Sequence, residues 1–305
     1  MAEDQQGMEA VSVLDAVAER ITRGQELTSD DAGSILATHD IVELGMLADG
    51  VRRHRHENKT TFGRVLEVHV DAIPEALPAK FDGGEVRIIG TPANAEAGIA
   101  AVRAASRIAG ATPVTGFSIA DLARLGGSDV ATFLATLQRS GLHAVADVTV
   151  DDPGDVVSAV RAARSAGLRV LRLTNHAGVA DAHIELVNRA RALQTELGGF
   201  RAFAPLPRTM SIALPTTGYD DVKLIALARL VVHNVDSIQV DWALYGPKLA
   251  QVALTMGADD VDGVAAVETG ELGTRRSAIE EITRNIRAAA LEPQERTGLF
   301  EARLA

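Results

Sequence analysis

Two hydrophobic rhythms divide the chain. From Val13 to Asn58 apolar residues recur every three or four positions, the period of amphipathic helices, and Thr28 and Asp40 stand where N-caps belong. This spacing predicts three helices. From Lys59 onward, short β-type runs alternate with alanine-rich helical stretches such as Ala95–Gly110. The runs are Arg64–Asp71 (RVLEVHVD), Glu85–Gly90 (EVRIIG), Ala111–Ser118 (ATPVTGFS), His143–Val150 (HAVADVTV), Arg169–Asn175 (RVLRLTN), Phe200–Pro207 (FRAFAPLP), Ser237–Trp242 (SIQVDW) and Val261–Glu268 (VDGVAAVE). Repeated β–α units of this number predict an α/β fold, a (β/α)8 barrel of the TIM type over residues 61–305 behind an N-terminal helical extension over 1–60. A doubly wound parallel sheet is the alternative, although no GxGxxG follows a strand and no P-loop is present.

One connection breaks the rhythm. Ala72–Gly84 (AIPEALPAKFDGG) joins the first two strands with two prolines and a Gly-Gly pair, too short and too broken for a crossover helix. The first crossover helix is therefore expected to be missing. The outer row of strand one, Leu66, Val68 and Val70, then needs another cover, either the N-terminal helices or a second chain in a homo- or hetero-oligomer.

Composition narrows the function. The chain has 305 residues, 47% hydrophobic, enough for a large core. Only 3% of residues are aromatic and the formal net charge is -11, which supplies few stacking platforms and repels phosphate backbones, so no nucleic-acid partner is expected. No apolar run approaches the roughly 20 residues that span a bilayer, and the acidic MAEDQQGMEA does not read as a signal peptide. A cytoplasmic protein without a membrane partner is expected. The cysteine count is zero, which removes disulfides, thiolate nucleophiles, cysteine-based zinc sites and iron–sulfur clusters held by thiolates.

Strand alternation says which side chains enter a barrel, because the outer face must meet apolar helices. Glu67, His69, Asp71, Arg87, Asp147, Thr149, Arg172, Thr174, Gln239 and Asp241 are expected inside, joined by Arg201 and Glu268. Such an interior is either a buried ion network that fills the barrel or a polar ligand pocket. Depth separates the two: Asp71, Thr149, Thr174, Asn175, His176, Asp241 and Glu268 fall at the C-terminal strand ends where barrel active sites form, while Glu67, Arg87 and Arg172 read as deeper. The catalytic candidates are Asp71, His176, Asp241 and Glu268, with the imidazole of His176 best suited to acid–base work near neutral pH. The ligand-binding candidates are Thr149, Thr174, Asn175 and Arg208, the last able to clamp a carboxylate or phosphate of a small polar or anionic metabolite. Trp242 reads as packing, GADDVDG (Gly257–Gly263) as a tight turn rather than a metal site, and Lys248 and Gln251 as helix residues. No metal-binding residues are assigned.

Three colinear stretches carry a family resemblance: Asp40–Arg64 (DIVELGMLADGVRRHRHENKTTFGR), Leu193–Pro207 (LQTELGGFRAFAPLP) and Ala226–Gly263 (ALARLVVHNVDSIQVDWALYGPKLAQVALTMGADDVDG). They resemble the radical-SAM enzymes of the futalosine route to menaquinone, aminofutalosine synthase most closely. The resemblance implies a barrel of the radical-SAM kind, with a CxxxCxxC loop holding a [4Fe-4S] cluster after strand one and a glycine-rich, S-adenosylmethionine-contacting strand end near Gly90. This sequence departs at both places. Ala72–Gly84 replaces the cysteine loop, and Thr91 stands for the second glycine. Neither His69 nor the pair His54 and His56 makes up a thiolate set; the HRH run reads as cations at a helix C-terminus.

The resemblance and its departures imply a cluster-less homologue without S-adenosylmethionine-cleaving activity, needing no cofactor. It would act as a partner or regulator of menaquinone-pathway enzymes, or as a metabolite binder. The alternative is a cluster-independent enzyme using acid–base residues at the barrel mouth. A scaffold subunit without a ligand is the third reading.

Overall fold

The computed structural model describes residues 13–176, 182–209, 217–267 and 278–303. The three helices at the start are α1 (Val13–Thr22), α2 (Ser29–Ala37) and α3 (Ile41–His56). Thr28 N-caps α2 in a capping box with Asp31, and the Asp40 carboxylate accepts the Glu43 amide at the start of α3. Arg53, His54, Arg55 and His56 crowd the last turn of α3, where cations complement the helix dipole.

The strands that follow are all parallel and close into an eight-stranded barrel. They are β1 (Lys59–His69), β2 (Glu85–Ile89), β3 (Val114–Ser118), β4 (Ala144–Thr149), β5 with β6 (Arg169–Val170 and Arg172–Asn175, one strand interrupted at Leu171), β7 (Ala202–Pro207), β8 (Ser237–Asp241) and β9 (Asp260–Ala265). The barrel shuts where β9 pairs with β1, across a register shift between Phe62 and Arg64. Around it run α4 (Ala95–Ala109), α5 (Ile119–Gly126), α6 (Val130–Arg139), α7 (Val156–Ser165), α8 (His183–Leu197), α9 (Gly218–Val231), α10 (Trp242–Thr255) and α11 (Ala278–Ala288).

A further strand, β10 (Glu292–Arg296), pairs with Lys59–Gly63 of β1, below the stretch that pairs with β2. The periodicity gave no sign of it, because Glu-Pro-Gln-Glu-Arg is polar and carries a proline. The chain after it turns back under the barrel: Gly298 donates its amide to the Gly84 carbonyl, and the Phe300 ring lies 4.2 Å from the Arg296 guanidinium.

No helix separates β1 from β2 among the described residues, as the broken joint predicts. Its outer row is nonetheless covered: Val68 and Val70 are buried within the single chain, and Leu66 is partly buried. The joint itself crosses β1, bridging Phe81 to Val267 beyond β9 and donating the Asp82 amide to the Ala266 carbonyl before entering β2 on the other flank. Ile73, Leu77 and Phe81 pack from it onto the core that holds Val68 and Val70. Asp82 is then tied down by Arg64 at 2.8 Å and by Arg303.

The N-terminal helices α2 and α3 pack against α9. Helix α9 is apolar around most of its circumference, and every residue from Asp221 to Val231 is buried, so it needs neighbours on its outer side as well as on its barrel side. Helices α2 and α3 supply them, with α3 reaching α10 and α2 reaching α8. Lys223 of α9 is buried and donates to the Leu36 carbonyl at 2.6 Å, which fastens the end of α2.

Candidate functional site

The lower barrel is filled by charge. Asp262 is fully buried at its centre, with Arg87 Nη1 at 2.9 Å and Arg172 Nη1 at 3.0 Å on one carboxylate oxygen and Arg296 Nη2 at 3.2 Å on the other. Glu85 takes Arg87 Nε at 2.8 Å and accepts the Thr115 hydroxyl, and Asp260 is gripped by Arg296 and by the Gln239 amide at 2.6 Å. Three arginines face three carboxylates. Burial alone would raise the Asp262 carboxyl, but Arg172, Arg87 and Arg296 more than offset it and hold the group well below the ordinary carboxylate range. A Cβ on Gly63 would come within 2.7 Å of Arg296 Nη1, so a larger residue there would have to displace that guanidinium from its place on Asp260.

Three expectations change here. Asp260 and Asp262 belong to β9 and point inward, so GADDVDG is more than a tight turn: the strand begins at Asp260, one residue before the expected run. Arg201 is outside the barrel, half exposed and paired with Asp236 at 3.0 Å, because it precedes β7 rather than belonging to it. Glu67 is not deep; its side chain is 41% exposed. It stands in register with Arg87, yet the longer arginine reaches down to Asp262 while the glutamate stays at the mouth.

Above this network the C-terminal strand ends surround a cavity of about 670 Å³. Its wall includes Glu67, Ile88, Ile89 and Gly90 from β1 and β2, Phe117 and Asp121 from β3 and α5, Asp147, Thr149 and Asp151 from β4 and its loop, and His176, Arg208 and Thr209 beyond β6 and β7. This is the end of the barrel where catalytic and binding groups collect. Phe117 lies at φ 62°, an uncommon conformation for a bulky residue, and it turns the chain out of β3 so that Ser118 can N-cap α5. Gly90 lies at φ 87°, and a Cβ there would meet His69 Nε2 at 2.8 Å. The imidazole covers the strand end.

Of the predicted site residues, His176, Thr149 and Arg208 share this cavity. The His176 amide donates to Asp151 at 2.8 Å, and its Nε2 lies 3.3 Å from the Thr209 hydroxyl. Asp241 stands behind Arg208, with 3.5 Å between carboxylate and guanidinium, and its other oxygen N-caps α10 through the Leu244 amide at 3.0 Å. Asp71 is exposed at the rim, where its amide donates to His69 Nδ1 at 3.3 Å. Thr174 and Asn175 are buried beneath the mouth rather than lining it, and Asn175 Nδ2 donates to the Pro205 carbonyl at 2.8 Å. Glu268 lies outside the described residues.

Asp147 is the cavity residue that the sequence reading placed inward without singling out. Burial pushes its carboxyl up, and the charges of Arg208, Arg172, Arg87 and His176 offset this only in part. At the opposite end of the barrel, His56 meets the Asp236 carbonyl at 2.9 Å and the Asp259 carboxylate at 3.1 Å, far from the mouth.

The fold and the placement of the cavity define the class, a parallel α/β barrel of the TIM type with a cavity at its C-terminal strand ends. Methylornithine synthase superposes with a TM-score of 0.62 at 14% identity, over 91% of this chain and 97% of that one. The FeFe-hydrogenase maturase HydG from Carboxydothermus hydrogenoformans gives 0.65 at 11% identity, over 92% and 79%. Residues 202–305 match the CofH/MqnC C-terminal region. Aminodeoxyfutalosine synthase of Thermus thermophilus is 26% identical across 93% of this chain and 94% of that protein. The 5-amino-6-(D-ribitylamino)uracil--L-tyrosine 4-hydroxyphenyl transferase 1 of Methanosarcina barkeri is 29% identical over 213 residues, 58% of this chain. The chain spans 56% of that relative's length. The chain is similar to these proteins, and it contains no cysteine.

A [4Fe-4S] cluster, which the resemblance to radical-SAM enzymes implies, does not fit the residues present. The segment after β1 offers neither cysteine nor histidine from Ala72 to Gly84. Among the described residues no three of His, Cys, Asp and Glu group as a metal site.

Proposed function

We propose that this chain binds a small polar metabolite at the barrel mouth without cleaving S-adenosylmethionine, and serves menaquinone biosynthesis by the futalosine route as a partner or regulator of its enzymes. One observation carries the reading: a cavity of about 670 Å³ lined by polar side chains from many strand ends, in a chain without a single thiolate. The interior ion network supports the barrel from below and leaves the mouth free for a ligand. The pathway link rests on the names of the relatives, the synthase of Thermus thermophilus above all.

Cluster-independent acid–base chemistry is the second reading, and His176 favours it, since the imidazole lines the cavity with Thr209 beside it. Asp71 and Asp241 give it less support, one at the rim and one capping a helix. A thermal-shift screen of polar metabolites, followed by mass spectrometry of each hit after incubation, separates the two. The proposal expects a stabilising ligand recovered unchanged. A product that forms with the wild type and not with His176→Gln would replace it with the enzymatic reading.

A further inference from the structure

Arg208 suggests an anionic ligand at first sight, but the charges around the cavity point the other way. The three interior arginines are matched by Glu85, Asp260 and Asp262. Arg208 itself has Asp241 at 3.5 Å. Of the acids on the wall, Asp121 is engaged by Thr91, Ser118 and Arg124, the Asp151 carboxylate accepts the His176 amide, and that of Asp152 accepts the Gly154 amide. Among the described residues two wall carboxylates are left over. Glu67 lies 3.8 Å from Arg87 Nη1, at the outer limit of an ion pair, and that nitrogen is already 2.9 Å from Asp262. Asp147 has no hydrogen-bonded or ion-paired partner for its carboxylate among the described residues, only the longer-range charges of Arg208, Arg172, Arg87 and His176.

We propose that the mouth takes a small organic cation, an ammonium or similar group on an apolar body, with Glu67 and Asp147 holding the charge. The inference rests on the mouth being a ligand site. The rest of the wall fits such a ligand: Ile88, Ile89, Phe117 and Ala146 offer apolar surface beside the two acids. The volume is far larger than a bare ion needs, and Glu67 and Asp147 have no third His, Cys, Asp or Glu grouped with them in metal-binding geometry among the described residues.

The test is titration calorimetry of the full chain with two ligands of matched shape and opposite charge, tryptamine and indole-3-propionate. Tryptamine should bind saturably and at least about tenfold tighter, and Glu67→Gln and Asp147→Asn should each weaken it by about tenfold, the loss expected for one charge-assisted contact. Glu67 is exposed enough that Glu67→Gln decides the matter even if Asp147→Asn disturbs folding. Unchanged tryptamine affinity in both variants overturns the proposal. Tighter binding of indole-3-propionate, lost in Arg208→Ala, overturns the sign of the charge while keeping the mouth as a ligand site. Failure of both probes to bind overturns the cation assignment, and the metabolite screen then judges the wider reading independently.

Discussion

Replacing Asp262 by asparagine changes one atom type at the centre of the barrel and tests what the interior charge does. The carboxylate contacts three guanidiniums, all themselves buried, at 2.9, 3.0 and 3.2 Å. Asparagine keeps the volume, so no cavity opens, but three cations would then face two acids. Removing one member of a buried ion network typically costs about 3 to 5 kcal/mol, because the charges left behind stay buried. At roughly 2 to 4 °C per kcal/mol for a chain of this size class, the melting temperature should fall by roughly 6 to 20 °C. The pH dependence has a definite sign. The folded carboxyl is depressed below its unfolded value, so its contribution is fully present above about pH 4 and is lost as the pH falls through the folded value. Guanidinium chloride unfolding should therefore show a constant gap between wild type and Asp262→Asn from pH 6 to 8, narrowing in acid. Adding Arg172→Met should recover part of the loss by restoring the balance. A gap below about 1 kcal/mol at pH 7 would refute the idea that paired buried charge holds this interior.

Other substitutions probe the remaining elements. Val68→Asp would place a carboxylate in the buried core, and should lower the melting temperature by roughly 10 °C or more with no change in assembly; dissociation of an oligomer at unchanged stability, read by sedimentation, would mean that a second chain covers β1. Asp241→Ala should cost about 1 kcal/mol through the lost N-cap of α10, whereas Arg208→Ala, with its single 3.5 Å ion pair, should cost less than half of that in chemical denaturation; equal losses would contradict the capping role. Asp147 has the opposite linkage to Asp262: its folded carboxyl is raised, so it lowers stability as the pH climbs from the unfolded value through the folded one. Asp147→Asn should melt higher than wild type at pH 7 and equal to it below about pH 4, and a lower melting temperature at pH 7 would refute that assignment.

Alternation made much of the interior legible. It placed Arg87, Arg172, Gln239 and Asp241 on the inner face, and the prolines of the joint announced the missing helix. It could not give height, since that depends on strand stagger and side-chain length; Glu67 and Arg87 share a register and still end on different levels. Nor could a local pattern reveal β10 or the path of the joint, because both depend on partners far along the chain, Lys59 for Glu292 and Val267 for Phe81. The end of the helical period placed Arg201 one residue too far into its strand. Asp147 carried a readable signal, an acid on an inward strand position near the mouth, but its lack of a partner among the described residues is visible only when the surrounding arginines are in place.

The proposed reading is of a barrel that resembles radical-SAM proteins and has no cysteine to hold their cluster. Anaerobic reconstitution of the purified chain with iron and sulfide, followed by incubation with S-adenosylmethionine and reductant, tests it most directly. The account predicts a protein without the charge-transfer absorption of an iron–sulfur cluster and S-adenosylmethionine recovered intact. A stoichiometric cluster accompanied by reductive cleavage would contradict it.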